Sequence, residues 1–202
     1  MNKPKLVAVA MAPEGGGLRE RTDDELMVHL RSGLAPALRV LAERHTEKLL
    51  RFCTKFLGDF QAGQDVVQKT WIQVWVNRAR YDAQGRFRVL IYTIARNLCR
   101  NELRRSGRGG PRITTDIKPE LDKITDDEPT QLDRLLVREQ YRDLLEALSR
   151  VPELQREALL LRFDQELSYQ EMAAVLGESE STLRSRVYYG IGSVRAALTR
   201  HP

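Results

Sequence analysis

Apolar residues recur at helical spacing from position 23 onward. Leu26, Leu30 and Leu34 form one set, Leu38, Leu41 and His45 the next, and Leu49, Phe52, Cys53, Phe56 and Leu57 share a stripe. Gly58 stops that run, and residues 59–63 read as a turn. A helix is expected over about 64–79, with Val67, Trp71, Val74 and Trp75 on one side. Residues 81–85 read as a loop and 87–103 as a further helix.

The pattern then breaks. SGRGGP at 106–111 interrupts regular structure, and 118–129 is acidic with two prolines. A connection of about 25 residues is too long for an ordinary tight loop. Helical periodicity returns over 131–149 (Leu132, Leu135, Leu136, Leu144, Leu145, Leu148), and Pro152 opens another helix to about Phe163. No segment reads as a strand. The expected fold is all-α, with two small helical domains joined by a flexible acidic linker. Residues 1–19 are a flexible leader, 20–105 an N-terminal bundle, 106–131 the linker and 132–202 a C-terminal domain.

The C-terminal domain holds the most specific local signal. Ser168 and Glu171 have capping-box spacing, Gly177 turns the chain, and Ser179 is placed to cap a second helix. Leu183, Val187 and either Gly190 or Ile191 face inward, whereas Ser181, Thr182, Arg184, Ser185, Arg186 and Tyr188 face outward. Gly190 either closes this helix or sits inside it at a cost of about 1 kcal/mol relative to Ala. Two short helices with a hydroxyl-rich, arginine-bearing second member make a helix-turn-helix.

Composition narrows the class. With 202 residues, 42% hydrophobic and 30% charged, the chain is neither disordered throughout nor built on one large apolar interior. No run approaches the roughly 18–20 apolar residues of a membrane helix. The start has the look of a short signal segment, but the glycines at 15–17 favour a leader. Net charge is +5, distributed unevenly: +6 over 20–105, −3 over 106–133 and zero over 134–202. Residues 78–105 carry eight arginines and no lysine against only Asp82 and Glu102, which favours phosphate and base contacts. The neutral C-terminal domain attracts DNA weakly at long range, so its helix-turn-helix needs a second contact.

Cys53 and Cys99 make no disulfide framework and fit a reducing compartment; they read as core hydrophobes more than as a redox sensor. His29, His45 and His201 are scattered, and there is no Cys-x-x-Cys, phosphate loop or nucleophile elbow. No enzyme activity, cofactor or metal is expected.

With DVVQKTWIQVW at 65–75, FRVLIYTIARN at 87–97, LSYQE at 167–171 and TLRSR at 182–186, residues about 23–105 and 140–199 together resemble the bacterial extracytoplasmic-function (group IV) RNA polymerase sigma factors. DVVQKTWIQVW at 65–75 resembles the family's helix for the clamp coiled coil of core RNA polymerase. FRVLIYTIARN at 87–97 resembles its −10-element segment. Residues 148–195 resemble its −35-binding domain, most specifically in LSYQE at 167–171 and TLRSR at 182–186.

The resemblance implies an alternative sigma factor that binds core polymerase at clamp and flap, directs it to promoter DNA and assists melting. It acts in the cytoplasm without membrane insertion, with an anti-sigma factor as a further partner. Asp65, Val66, Gln68, Trp71, Val74 and Trp75 would bind core polymerase, although a Trp at either position can equally be a core residue. Tyr81, Arg86, Phe87, Arg88, Arg96, Asn97, Arg100 and Arg104 would hold single-stranded −10 DNA, with Asn97 and loop 81–86 reading an unstacked base. Ser179, Ser181, Thr182, Arg184, Ser185, Arg186 and Tyr188 would contact the −35 element. Two positions and one segment depart from the family pattern: Leu90 replaces a common Trp, Lys69 an acidic residue, and YYGIGS at 188–193 a basic tail. These bear on promoter sequence and strength. A repressor acting without polymerase is the rival reading, but it would have no need of the 65–75 helix.

Overall fold

A computed structural model describes residues 17–107 and 131–199, with side chains from Tyr141 in the second segment. Most of the leader and of the acidic linker lie outside the described residues. All regular structure among the described residues is helical.

The N-terminal domain contains α1 (Asp23–Arg31), α2 (Pro36–Leu57), α3 (Phe60–Asn77) and α4 (Phe87–Arg105), with a 3-10 turn over Arg78–Arg80. Thr22 and Glu25 close a capping box at the start of α1. Pro36 sits in the first turn of α2, and Gly58 ends that helix at φ 68°. The expected turn at 59–63 shrinks to Asp59 alone. Its side chain accepts the Ala62 N–H, so α3 begins at Phe60. Gly63, inside that first turn, lets α3 pass close to α2: a Cβ there would stand 2.7 Å from Thr54 Oγ1.

The C-terminal domain contains α5 (Gln131–Arg150), α6 (Glu153–Leu159), α7 (Tyr169–Leu176) and α8 (Glu180–Leu198). Helix α6 widens into a π-helical turn over Leu160–Asp164, and Glu166 follows at φ 55°. Ser168 and Glu171 form the expected capping box, Gly177 turns at φ 69°, and Ser179 caps α8. Gly190 does not close α8, which runs on to Leu198. It is buried against α6, where a Cβ would meet Leu159 Cδ1 at 3.0 Å, and Ile191 is 41% exposed. The inward position is therefore Gly190.

The two domains pack directly on one another through a continuous buried core. The π turn supplies the key. Gln165, 3% exposed, reaches into the N-terminal domain, accepts from the Tyr92 hydroxyl and donates to Lys48 O at 3.2 Å. Arg88 donates to Gln165 O at 2.6 Å. Lys55 pairs with Asp164, Arg96 with Glu157, and Arg100 with Glu153 at 2.9 Å. Burial lowers the pKa of Arg156, which spans the seam with its guanidinium 5.7 Å from the Phe56 ring.

Candidate functional site

Three surfaces emerge from this packing. The first is the solvent side of α3. A helix buried on one stripe must present the other, and here the buried stripe is Val66, Val67, Thr70, Trp71 and Val74. Val66, Trp71 and Val74 were expected to touch polymerase; at 1%, 7% and 1% exposure they are core residues instead. Trp71 also donates its indole N–H to Thr46 Oγ1 at 3.0 Å. Asp65 and Gln68 are exposed, and Trp75 is half-buried with the Arg78 guanidinium 4.1 Å over its ring. Ile72 and Val76, 36% and 65% exposed, were not singled out from sequence. Their i, i+4 spacing, opposite the buried stripe, was the signal.

The second surface surrounds the loop between the 3-10 turn and α4. A cavity of about 320 Å³ is lined by Asn77, Arg80, Tyr81, Asp82, Arg86 and Leu90, with apolar backing from Val74 and Val89. Tyr81 and Arg86, both expected on the −10 strand, converge on this cavity. Phe87 does not: at 2% exposure it packs under the loop, 6.3 Å from the Tyr81 ring and 5.3 Å from His45. Asn97 is exposed, accepts from Arg96 at 3.2 Å, and does not line the cavity. Burial and the Asp24 carboxylate push the Tyr81 phenol up, so it stays protonated and donates to Asp24. Arg104 is exposed at the far end of α4. Arg88, Arg96 and Arg100 face the C-terminal domain and hold its carboxylates Glu171 (3.8 Å), Glu157 and Glu153.

The third surface is the helix-turn-helix. Ser181, Arg184, Ser185 and Tyr188 stand exposed along α8, with Thr182 half-buried. Ser179 spends its hydroxyl on the cap, accepting from Thr182 N at 3.2 Å. Arg184 pairs with Glu180 at 3.2 Å and lies 4.2 Å over the Tyr169 ring. Arg186 is folded back on Glu178 at 2.6 Å, its side chain 17% exposed. Behind the recognition face runs an apolar groove of about 560 Å³, bordered by Leu144, Leu159, Phe163, Ile191 and Leu198. Phe163 is 61% exposed at its lip.

Cys53 and Cys99 are both fully buried free thiols. Burial and the neighbouring Cys53 sulfur raise Cys99 well above the ordinary thiol range, which leaves it unreactive where it stands. No helix among the described residues is long and apolar enough to cross a membrane.

Residues 41–109 match the family description Sigma-70 region 2, and residues 141–190 match Sigma-70, region 4. The chain is 28% identical to the RNA polymerase sigma-H factor of Pseudomonas aeruginosa over 90% of its own length and 96% of that protein's. It is 29% identical to the ECF RNA polymerase sigma factor SigL of Mycobacterium tuberculosis over 81% and 90%. The structure of CnrH in complex with the cytosolic domain of CnrY is similar in fold, with TM-score 0.65, 23% identity, and coverage of 89% and 99%. So is the sigma factor RpoE in complex with the anti-sigma factor NepR from Bartonella quintana, with TM-score 0.57, 22% identity, and coverage of 88% and 96%.

Proposed function

From a chain that belongs to the sigma-70 family, as an extracytoplasmic-function sigma factor, we infer a specific division of labour between the three surfaces. The protein is an alternative sigma factor: it directs core RNA polymerase to promoters and is not itself an enzyme. The exposed side of α3 (Asp65, Gln68, Ile72, Trp75, Val76) takes the clamp coiled coil. Its mix of charge with exposed apolar side chains suits a helical partner. The apolar groove behind α8 takes the flap. These surfaces operate in the cytoplasm, where polymerase and chromosome meet.

DNA is divided between two faces. Ser181, Arg184, Ser185 and Tyr188 read the −35 duplex in the major groove. The cavity beside loop 81–86 receives one unstacked −10 base, while Arg86, Arg88, Arg96, Arg100 and Arg104 track the strand. Flipping that base costs a few kcal/mol, and opening duplex costs about 1.4 kcal/mol per step. Without nucleotide hydrolysis, binding energy must offset both.

Arg88, Arg96 and Arg100 cannot grip phosphates while they hold Glu171, Glu157 and Glu153. The domains therefore part when polymerase binds, and the arginines exchange carboxylate for phosphate. The closed form is also what a cytosolic anti-sigma partner would hold. The leader (1–19), bundle (20–105), linker (106–131) and C-terminal domain (132–202) remain our proposed boundaries, the linker running toward the RNA-exit path.

The exposed face of α3 carries this reading. The test is size-exclusion chromatography of the protein with bacterial core RNA polymerase, alongside Trp75→Ala. Co-elution weakened by the substitution supports it. Failure of the folded wild-type protein to co-elute at micromolar concentration sinks it and leaves a polymerase-independent DNA-binding regulator.

A further inference from the structure

The loop that walls the −10 cavity is tied down by a residue far away in sequence. Asp24, in the first turn of α1, accepts from the Tyr81 hydroxyl with Oδ1 and from the Gly85 backbone N–H with Oδ2. Each oxygen of one carboxylate thus holds one end of the loop, which spans the wall residues Asp82 and Arg86. Gly85 sits at φ 71°, a left-handed conformation that directs its N–H out of the loop and toward α1.

Asp23 and Glu25, either side, have other work. Asp23 holds Arg44 and His45, both at 2.7 Å, and Glu25 closes the α1 capping box. Asp24 is thus the acidic residue of that turn that turns sideways to the loop. The arrangement is rigid underneath: the Tyr81 ring lies edge-on to buried Phe87, which itself stands 6.5 Å from the Trp71 ring.

We propose that Asp24 is a positioning residue for −10 readout, fixing loop 81–86 in the shape that selects one unstacked base. It contacts no base itself. Binding there requires a wall that does not yield, because a loop free to adapt accepts any base with a π-face. Charge-assisted hydrogen bonds are the stronger class, and two from one carboxylate hold both ends at once. The proposal rests on the −10 cavity assigned above.

The test uses holoenzyme assembled from core RNA polymerase and the full chain, selecting from a forked-junction DNA library with a randomised non-template −10 tract. Asp24→Ala removes both acceptors and leaves the Tyr81 hydroxyl and the Gly85 N–H without their shared partner. It is expected to flatten base preference about tenfold at one −10 position, comparable to loss of one charge-assisted hydrogen bond. Preference at −35 should be retained, and hydrogen exchange at the Gly85 amide should rise. Asp24→Glu, which keeps both acceptors, should restore part of the preference. If Asp24→Ala keeps full preference while Asp82→Ala flattens it, Asp24 has no positioning role and the cavity assignment stands. If neither substitution changes preference at any −10 position, the cavity assignment fails and the proposal falls with it.

Discussion

Arg96 of α4 pairs with Glu157 of α6 across 61 residues of sequence, and Glu157 has no exposure to solvent at all. A buried carboxylate tolerates loss of its partner poorly, because the remaining charge has neither water nor counter-ion. The guanidinium expected on the −10 strand is therefore, in this arrangement, part of the lock between the two domains.

Arg96→Ala should loosen that lock. Breaking a buried pair costs about 3–5 kcal/mol, which here falls on domain closure rather than on either domain's own core. Fluorescence transfer between dyes on α3 and α8 should drop in Arg96→Ala, with helicity unchanged. Unchanged transfer would mean that Gln165 and the other ion pairs hold the domains without it.

The tryptophans of α3 should separate stability from association. Trp71→Ala removes a buried ring and its hydrogen bond to Thr46, and should cost about 3–5 kcal/mol in denaturant unfolding. Trp75→Ala, at a half-buried ring packed on the edge of the core, should cost less in unfolding than Trp71→Ala and weaken core-polymerase affinity by about 2 kcal/mol or more, as for an interface anchor. Equal effects of both substitutions on stability would argue against an exposed binding face.

Two glycines of α8 should respond in opposite directions. Gly192 has open space around a Cβ, so Gly192→Ala should stabilise by about 0.5–1 kcal/mol through helix propensity. At Gly190 the new methyl presses on Leu159 at 3.0 Å, and overpacking should outweigh propensity by about 1 kcal/mol. Thermal unfolding of the two variants measures both.

Acid should unfasten α1 from α2. Burial raises the Asp23 pKa, but hydrogen bonds from His45 and Arg44 outweigh it and hold the carboxyl below its usual 3.8. A group with a lowered folded pKa adds stability above its unfolded value, and that stability disappears as pH falls through the folded one. Unfolding free energy should thus fall more steeply in the wild type than in Asp23→Asn as pH drops below about 4. Parallel curves would show that Asp23 contributes nothing to acid stability.

Arg184 and Arg186 should differ on DNA. Arg184→Ala removes an exposed cation and should lower the salt slope of −35 binding by about one. Arg186, folded back on Glu178, should affect the slope less and domain stability more. Salt titrations of duplex binding against melting curves distinguish the two.

Much of this was legible in the order of residues because its causes are local. Thr22 with Glu25, Ser168 with Glu171, Gly58 and Gly177 each set a helix end through contacts within four residues. The helical stripes, the helix-turn-helix and the family motifs in 65–75, 87–97 and 167–186 need no tertiary information. Short-range competition explains one miss: Asp59 caps where a turn signal stood, moving the start of α3 to Phe60.

Packing decided the rest, since a period of 3.6 says which residues share a face but not what the face meets. Val66, Trp71, Val74 and Phe87 became core because α2 and the loop cover them. Gly190 took the inward place over Ile191 because α6 passes too close for a side chain. The Asp24 tie to Tyr81 and Gly85, and the Arg96 lock on Glu157, join residues about 60 apart. Single carboxylates and arginines leave no periodic trace in a sequence, so only the three-dimensional arrangement reveals which charges they serve.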